Sequence, residues 1–282
     1  MATFILSAFA DEASPHLEEQ LRALRDEGIG LIELRGVDGR NCSVLTPEEA
    51  DAVKARLDAA GVRLSALGSP FGKYPLTAPF EKHLMDFRHG LRLCRQLGCD
   101  RMRVFSFYPP EGDDPAAWRD AVFARMAVML EEAAAAGVTL CHENEKGVYG
   151  DTPARCRELL DRFPDLGCVF DPANFVQCGA HPLEAWAMLR DRVTYMHIKD
   201  ALREDGAVVA PGHGDGCLAE ILAALNAQTT GEIVLTVEPH LTVFDGLRGL
   251  QTETLRHREA YPDARTAFHA ACGALKEMLR VL

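Results

Sequence analysis

No CxxC pair occurs among the nine cysteines of this chain, and an odd number cannot pair off completely. Neither a disulfide framework nor a thiolate zinc site is expected. Cys94 and Cys168 sit inside apolar segments, as reduced, buried thiols of a cytoplasmic protein would. A basic cluster is also missing. With a formal charge of −12 and scattered Lys and Arg, the chain would repel a phosphate backbone, which argues against nucleic acid as a partner. No stretch joins Pro, Gly and Ser enrichment to loss of apolar periodicity, so residues 1–282 read as one domain without a linker. The apolar start, Met1 to Ala10, has no basic flank and is too short for a signal peptide or membrane span. It is expected to be the first strand, with no membrane partner.

What the chain does contain is a regular alternation of short apolar runs and amphipathic stretches. Phe4 to Phe9 precedes the stretch from His16 to Glu27, in which Leu17, Leu21 and Leu24 share one helical face and Gly28 supplies the stop. After the apolar run Leu31 to Leu34, Thr46 is placed to cap a helix that Pro47 opens and Gly61 ends. Two further pairs follow: Val62 to Leu67 with the helical run Phe80 to Leu97, and Arg101 to Phe107 with Ala116 to Ala136, stopped by Gly137. The second half repeats the pattern through Val138–Glu143, Leu166–Asp171, Val193–His197 and Ile233–Glu238, and Thr266 to Leu282 closes the chain as a helix. Eight alternations predict the α/β class and a single (β/α)8 TIM barrel. An open doubly wound sheet would be expected to carry a glycine-rich phosphate turn after its first strand, and Ala8-Phe9-Ala10-Asp11-Glu12 is not one. The segment at about 241–262 is longer than most barrel loops and is expected to form a helical insertion, beside the site or in a homo-oligomer contact.

The last four apolar runs each end on a potential metal ligand: Glu143, Asp171, His197 and Glu238. In a closed parallel barrel these positions face one end, where barrels carry their chemistry. Three carboxylates and one imidazole suit Mn2+ foremost, with Mg2+ or Co2+ next. Alternation puts Cys141 one layer below Glu143, in the core, and turns His142 the opposite way. Arg35 and Arg103, near the ends of the second and fourth runs, would neutralise ligand carboxylates or hold a substrate oxygen. Lys73, Lys199, His213 and His240 are candidates to touch substrate, set against solvated or ion-paired alternatives. Pro211 to Gly216 is either a tight turn or a loop that closes over substrate.

The run His142-Glu143-Asn144-Glu145-Lys146, with Asp171-Pro172-Ala173-Asn174-Phe175, His197-Ile198-Lys199-Asp200, Pro211-Gly212-His213-Gly214-Asp215-Gly216 and Glu238-Pro239-His240, resembles the sugar phosphate isomerase/epimerase superfamily with its xylose isomerase-like barrel. Ile32-Glu33-Leu34-Arg35-Gly36 and Gly68 to Lys73 resemble it too, so the likeness spans essentially the whole chain. The resemblance implies a divalent-metal-dependent isomerase or epimerase of a small sugar or sugar derivative, acting through a metal-stabilised enediolate. Glu143 and Glu238 would bind the cation and alternate as base and acid on opposite faces of a substrate carbon, while Asp171 and His197 complete a site for one divalent ion, Zn2+ included. The ketose 3-epimerases of this superfamily carry a histidine three residues after the metal-binding aspartate. Here Asn174 stands in its place, able to hydrogen-bond a hydroxyl but not to carry a proton. The superfamily's endonuclease IV enzymes need more histidines than His213 and Asp215 could supply. Two alternatives are carried forward: a metal-dependent dehydratase or lyase acting on a keto sugar or keto inositol, and a non-catalytic sugar-binding barrel.

Overall fold

The computed structural model describes residues 2–243 and 256–282. Eight parallel strands close a barrel: β1 (Ala2–Ala8), β2 (Leu31–Leu34), β3 (Arg63–Gly68), β4 (Arg101–Val104), β5 (Thr139–Glu143), β6 (Gly167–Phe170), β7 (Val193–Ile198) and β8 (Gly231–Val237), each paired with its sequence neighbours and β8 with β1. The closing seam has the longest register, from Ala2 opposite Gly231 to Ala8 opposite Val237. Between strands lie α1 (Leu17–Asp26), α2 (Pro47–Ala60), α3 (Phe80–Gln96), α4 (Arg119–Ala136), α5 (Pro153–Arg162), α6 (Pro172–Gln177), α7 (Pro182–Leu189) and α8 (Leu218–Gln228), and α9 (Ala264–Arg280) covers the seam side. The expected single (β/α)8 TIM barrel is the fold observed. No helix among the described residues is long and apolar enough to cross a membrane.

Local chemistry explains the element ends. Thr46 accepts from the Glu49 N–H while Glu49 accepts from the Thr46 N–H, a reciprocal cap worth about 1 kcal/mol at the start of α2. Gly61 and Gly137 end α2 and α4 in the left-handed region at φ 67°. α9 turns Ala267, Phe268, Ala271, Cys272 and Leu275 onto the barrel, and each large apolar side chain so buried stabilises by about 1.5–3 kcal/mol.

One local expectation is corrected. The fourth strand does not continue to Phe107 but ends at Val104, because Phe107 adopts φ 67° and the chain after Val104 pairs instead with the preceding loop, Phe105 N–H to Phe71 O and Phe107 N–H to Gly72 O at 2.8 Å. Gly72 makes that approach possible, since a Cβ there would lie 2.0 Å from the Phe105 carbonyl oxygen. α6 is a short helix directly after β6 that apolar periodicity did not signal because only six residues form it. The insertion expected at about 241–262 falls largely outside the described residues; of its described part, His257 bridges to Val208 and places Nε2 2.8 Å from the His240 carbonyl oxygen.

Candidate metal centre

Period-two alternation assembles the site. Ala66, Cys141, Val169 and Tyr195 form a buried apolar layer inside the barrel. Two residues further on, Glu143, Asp171 and His197 take the same inward direction at the strand ends, and Glu238 follows β8. All four are buried, and each offers a ligand atom such that the four atoms lie within 4.8 Å of one another. Cys141 lies in the layer beneath, as expected, and His142 points elsewhere, buried with Nε2 2.9 Å from Ser106 Oγ.

The cluster is held from below and from the side. His197 Nδ1 lies 3.0 Å from Glu143 Oε1 and 3.1 Å from Glu238 Oε2, and its Nε2 lies 3.1 Å from Glu33 Oε2. The Phe9 ring meets the imidazole edge to face at 5.1 Å. Asp171 caps α6 through the Asn174 N–H at 2.9 Å, and the Asn144 side chain clasps the Asp171 backbone from both its N–H and its carbonyl. Asn174 donates to the Asn144 carbonyl at 2.8 Å and reaches Glu143 Oε1 at 3.3 Å.

Three buried cations face the carboxylates. Arg35 donates to Glu238 Oε1 at 2.9 Å, to both Asp11 oxygens at 2.9 and 3.0 Å, and to Glu12 Oε1 at 3.0 Å. Arg103 donates to Glu143 Oε2 and to the Ser69 carbonyl, both at 3.1 Å. Lys199 Nζ sits 2.8 Å from Asp171 Oδ2 and 3.7 Å from Glu238 Oε2. Burial works to raise the Glu143 and Glu238 carboxyls, but the positive groups opposite, His197 and Arg103 for the first and Lys199 and His197 for the second, outweigh it and hold both below the usual carboxylate range. Asp171 and Glu12 go the other way, pushed up by burial to about 7 and about 8.

A divalent cation fits this donor set. Asp171 Oδ2 and Glu238 Oε2 are buried oxygens that no donor meets in hydrogen-bonding geometry, even though Lys199 and His197 come within ion-pair distance. Buried carboxylates, with Asp11, Glu12 and Glu33 included, outnumber Arg35, Arg103 and Lys199, and a 2+ charge would reduce that excess. Oxygen ligands with one imidazole accept Mn2+, Mg2+, Co2+ or Zn2+. A second trio, Glu12, Glu238 and His240, also lies within 4.8 Å, but the Arg35 guanidinium is bonded to two of its members. It already supplies their positive partner.

The remaining candidates divide. His240, at φ 49°, is buried with its N–H on Glu12 Oε2 at 2.6 Å and its Nε2 3.7 Å from Glu238 Oε1; burial lowers its imidazole well below the ordinary histidine range, favouring the neutral ring. Lys73 is largely buried and pairs with Glu145 at 2.6 Å. Asp200 receives the N–H groups of Gly212, Gly214 and Gly216, which makes Pro211 to Gly216 a tight turn. A Cβ at Gly214 would lie 2.3 Å from Asp200 Oδ1. His213 is not brought to the cluster: its side chain is 62% exposed and pairs with Glu259 at 2.9 Å. Sequence reasoning missed Asp11, Glu12 and Glu33. For Glu33 a signal existed, because it lies two residues before Arg35 and therefore faces the same way.

The family profile described as the xylose isomerase-like TIM barrel matches residues 21–260, and the chain belongs to that family. No curated protein matches it. Among solved structures, the IOLI protein with a bound zinc atom superposes with a TM-score of 0.75 at 16% identity, over 98% of each chain. The probable 3-DHS dehydratase AsbF of petrobactin synthesis from Bacillus anthracis gives 0.72 at 16% identity, over 98% of this chain and 99% of that one. An L-ribulose 3-epimerase gives 0.72 at 18% identity, over 100% and 95%. At these identities the likeness is one of fold.

Proposed function

We propose that this protein is a divalent-metal-dependent isomerase or epimerase of a small sugar or sugar derivative, with Glu143 and Glu238 as acid and base. The observation that carries the reading is the buried convergence of Glu143, Asp171, His197 and Glu238 at the ends of four successive strands. The similarity to an L-ribulose 3-epimerase and to a zinc-holding barrel supports it. A bound divalent cation supplies Lewis acidity, which makes the C–H beside a substrate carbonyl acidic enough for a carboxylate to remove its proton.

Glu143 and Glu238 suit that task because both stay ionised at neutral pH, and each is braced by a guanidinium, Arg103 for the first and Arg35 for the second. One carboxylate takes the proton from one face of the carbon; the other, after taking up a proton from solvent, delivers it to the opposite face, which inverts the centre. Return to the neighbouring carbon by the same carboxylate gives aldose/ketose isomerisation instead. Asp171 and His197 complete the ligand set. Arg35 and Arg103, whose donors are directed at carboxylates, act by holding the two glutamates. Asn174, Lys199 and His240 are the side chains beside the cluster from which substrate hydroxyls receive hydrogen bonds. Asn174 orients without moving a proton.

The test is incubation of the metal-loaded protein in D2O with a panel of ketoses and 3-keto sugars. Deuterium entering the carbon next to the carbonyl in the wild type, and lost in both Glu143→Gln and Glu238→Gln, supports the reading. Release of water or an aglycone from a 3-keto substrate identifies a lyase. Sugar binding with neither exchange nor elimination leaves a non-catalytic barrel.

A further inference from the structure

We infer that Glu33 is a positioning residue that fixes His197 as an Nδ1 ligand, setting which imidazole nitrogen faces the cation and raising its basicity. The inference rests on the metal reading above and deepens it. An imidazole can present a lone pair on only one nitrogen while the other carries the proton, so a histidine ligand needs a partner that selects the tautomer. Here the two nitrogens have unlike surroundings. Nδ1 faces Glu143 and Glu238, both members of the candidate ligand set, at 3.0 and 3.1 Å. Nε2 faces Glu33 Oε2 at 3.1 Å, on the side away from them.

Glu33 is itself fixed. It comes from β2, reaches across the barrel interior to β7, and is buried. Its other oxygen, Oε1, accepts the Tyr195 hydroxyl at 3.0 Å, so each oxygen receives one donor from the same strand, at positions two residues apart. A carboxylate can only accept, so Glu33 keeps a proton on Nε2; a cation taken up among Glu143, Asp171 and Glu238 would displace the proton that Nδ1 otherwise shares with Glu143 and Glu238 and would meet the lone pair there. The Phe9 ring against the imidazole then limits its rotation. The motif Ile32-Glu33-Leu34-Arg35 thereby gains a physical meaning: two alternate side chains, Glu33 on β2 and Arg35 just after it, steady the imidazole of His197 and the carboxylate of Glu238.

The experiment is titration of the metal-free full-length protein with Mn2+ or Zn2+ alone, followed calorimetrically, for the wild type, Glu33→Gln, Glu33→Ala, Tyr195→Phe, His197→Ala and the Glu33→Gln/His197→Ala double variant. Circular dichroism establishes that each is folded. Glu33→Gln keeps the shape but removes the charge and is expected to weaken binding roughly 10–100-fold. Tyr195→Phe removes only the other donor and is expected to stay within about twofold of the wild type. In the His197→Ala background Glu33→Gln is expected to add no further loss. With Co2+ bound, a paramagnetically shifted, exchange-protected imidazole N–H signal should be present in the wild type and absent in Glu33→Ala. Wild-type affinity in Glu33→Gln, or an equal loss with His197 already removed, overturns the inference while the metal reading stands. A wild type that takes up no cation overturns the metal reading, and this inference with it.

Discussion

The two halves of the barrel carry charge in different ways. β5 to β8 end on Glu143, Asp171, His197 and Glu238, side chains whose ligand atoms converge and two of whose oxygens lack a hydrogen-bond donor in good geometry. Among the described residues, the first half presents no such set of its own. Its charged interior residues, Asp11 and Glu12 after β1, Glu33 and Arg35 on and after β2, and Arg103 on β4, are bonded to the second half or to one another. One half offers candidate ligands and the other holds them. A buried carboxylate is costly unless it is paired, so the ligands can wait, oriented, for a cation only because fixed partners satisfy their remaining valences.

The comparison can be broken most severely at Arg35. Arg35→Met should leave Asp11, Glu12 and Glu238 without their shared guanidinium and cost roughly 3–5 kcal/mol in stability, measured by urea unfolding. A loss below about 1 kcal/mol, the scale of an exposed pair, would mean that the first half does not hold the second. On the outer shell, Thr46→Ala should cost about 1 kcal/mol by removing the α2 cap, with metal binding unchanged.

A smaller, pH-dependent effect is expected where the last helix closes on the first. Glu27 is buried at the end of α1, which works to raise its carboxyl, but Lys276 at 2.5 Å and His269 outweigh burial and hold it below the usual range. Because the folded value is depressed, its contribution is complete above the unfolded glutamate pKa of about 4.3 and is lost as the pH falls through the folded value. Glu27→Gln should therefore flatten the acid limb of a stability profile and leave the centre's metal affinity as it was. The smallest effect belongs to His213→Ala. With an exposed side chain outside the cluster, it should change stability by less than about 0.5 kcal/mol and leave metal affinity unaltered.

What could be read from the sequence divides along the same line. The eight alternations and the four clustered side chains were legible because each is a local signal, an apolar run followed by a polar residue that repeats along the chain. The holders were legible only in part. Arg35 and Arg103 stood out as charges near strand ends, but their partners lie across the barrel: Arg35 is 203 positions from Glu238, and Glu33 is 164 from His197. No periodicity reports a contact of that kind. The Arg101 to Phe107 run misled because its apolar second half suits a strand, whereas Phe107 at φ 67° turns that part into a loop seated on Gly72. The pairing of Lys199 with Asp171 was equally illegible, since it joins residues 28 positions apart on neighbouring strand ends.

The account's central claim is tested most directly by the metal content of the full-length protein purified without chelator, measured by mass spectrometry and then by titration. It predicts about one divalent ion per chain, lost on substitution of Glu143, Asp171, His197 or Glu238 by alanine in a chain that still folds. No bound ion and no uptake on titration with Mn2+, Co2+, Mg2+ or Zn2+ would contradict it.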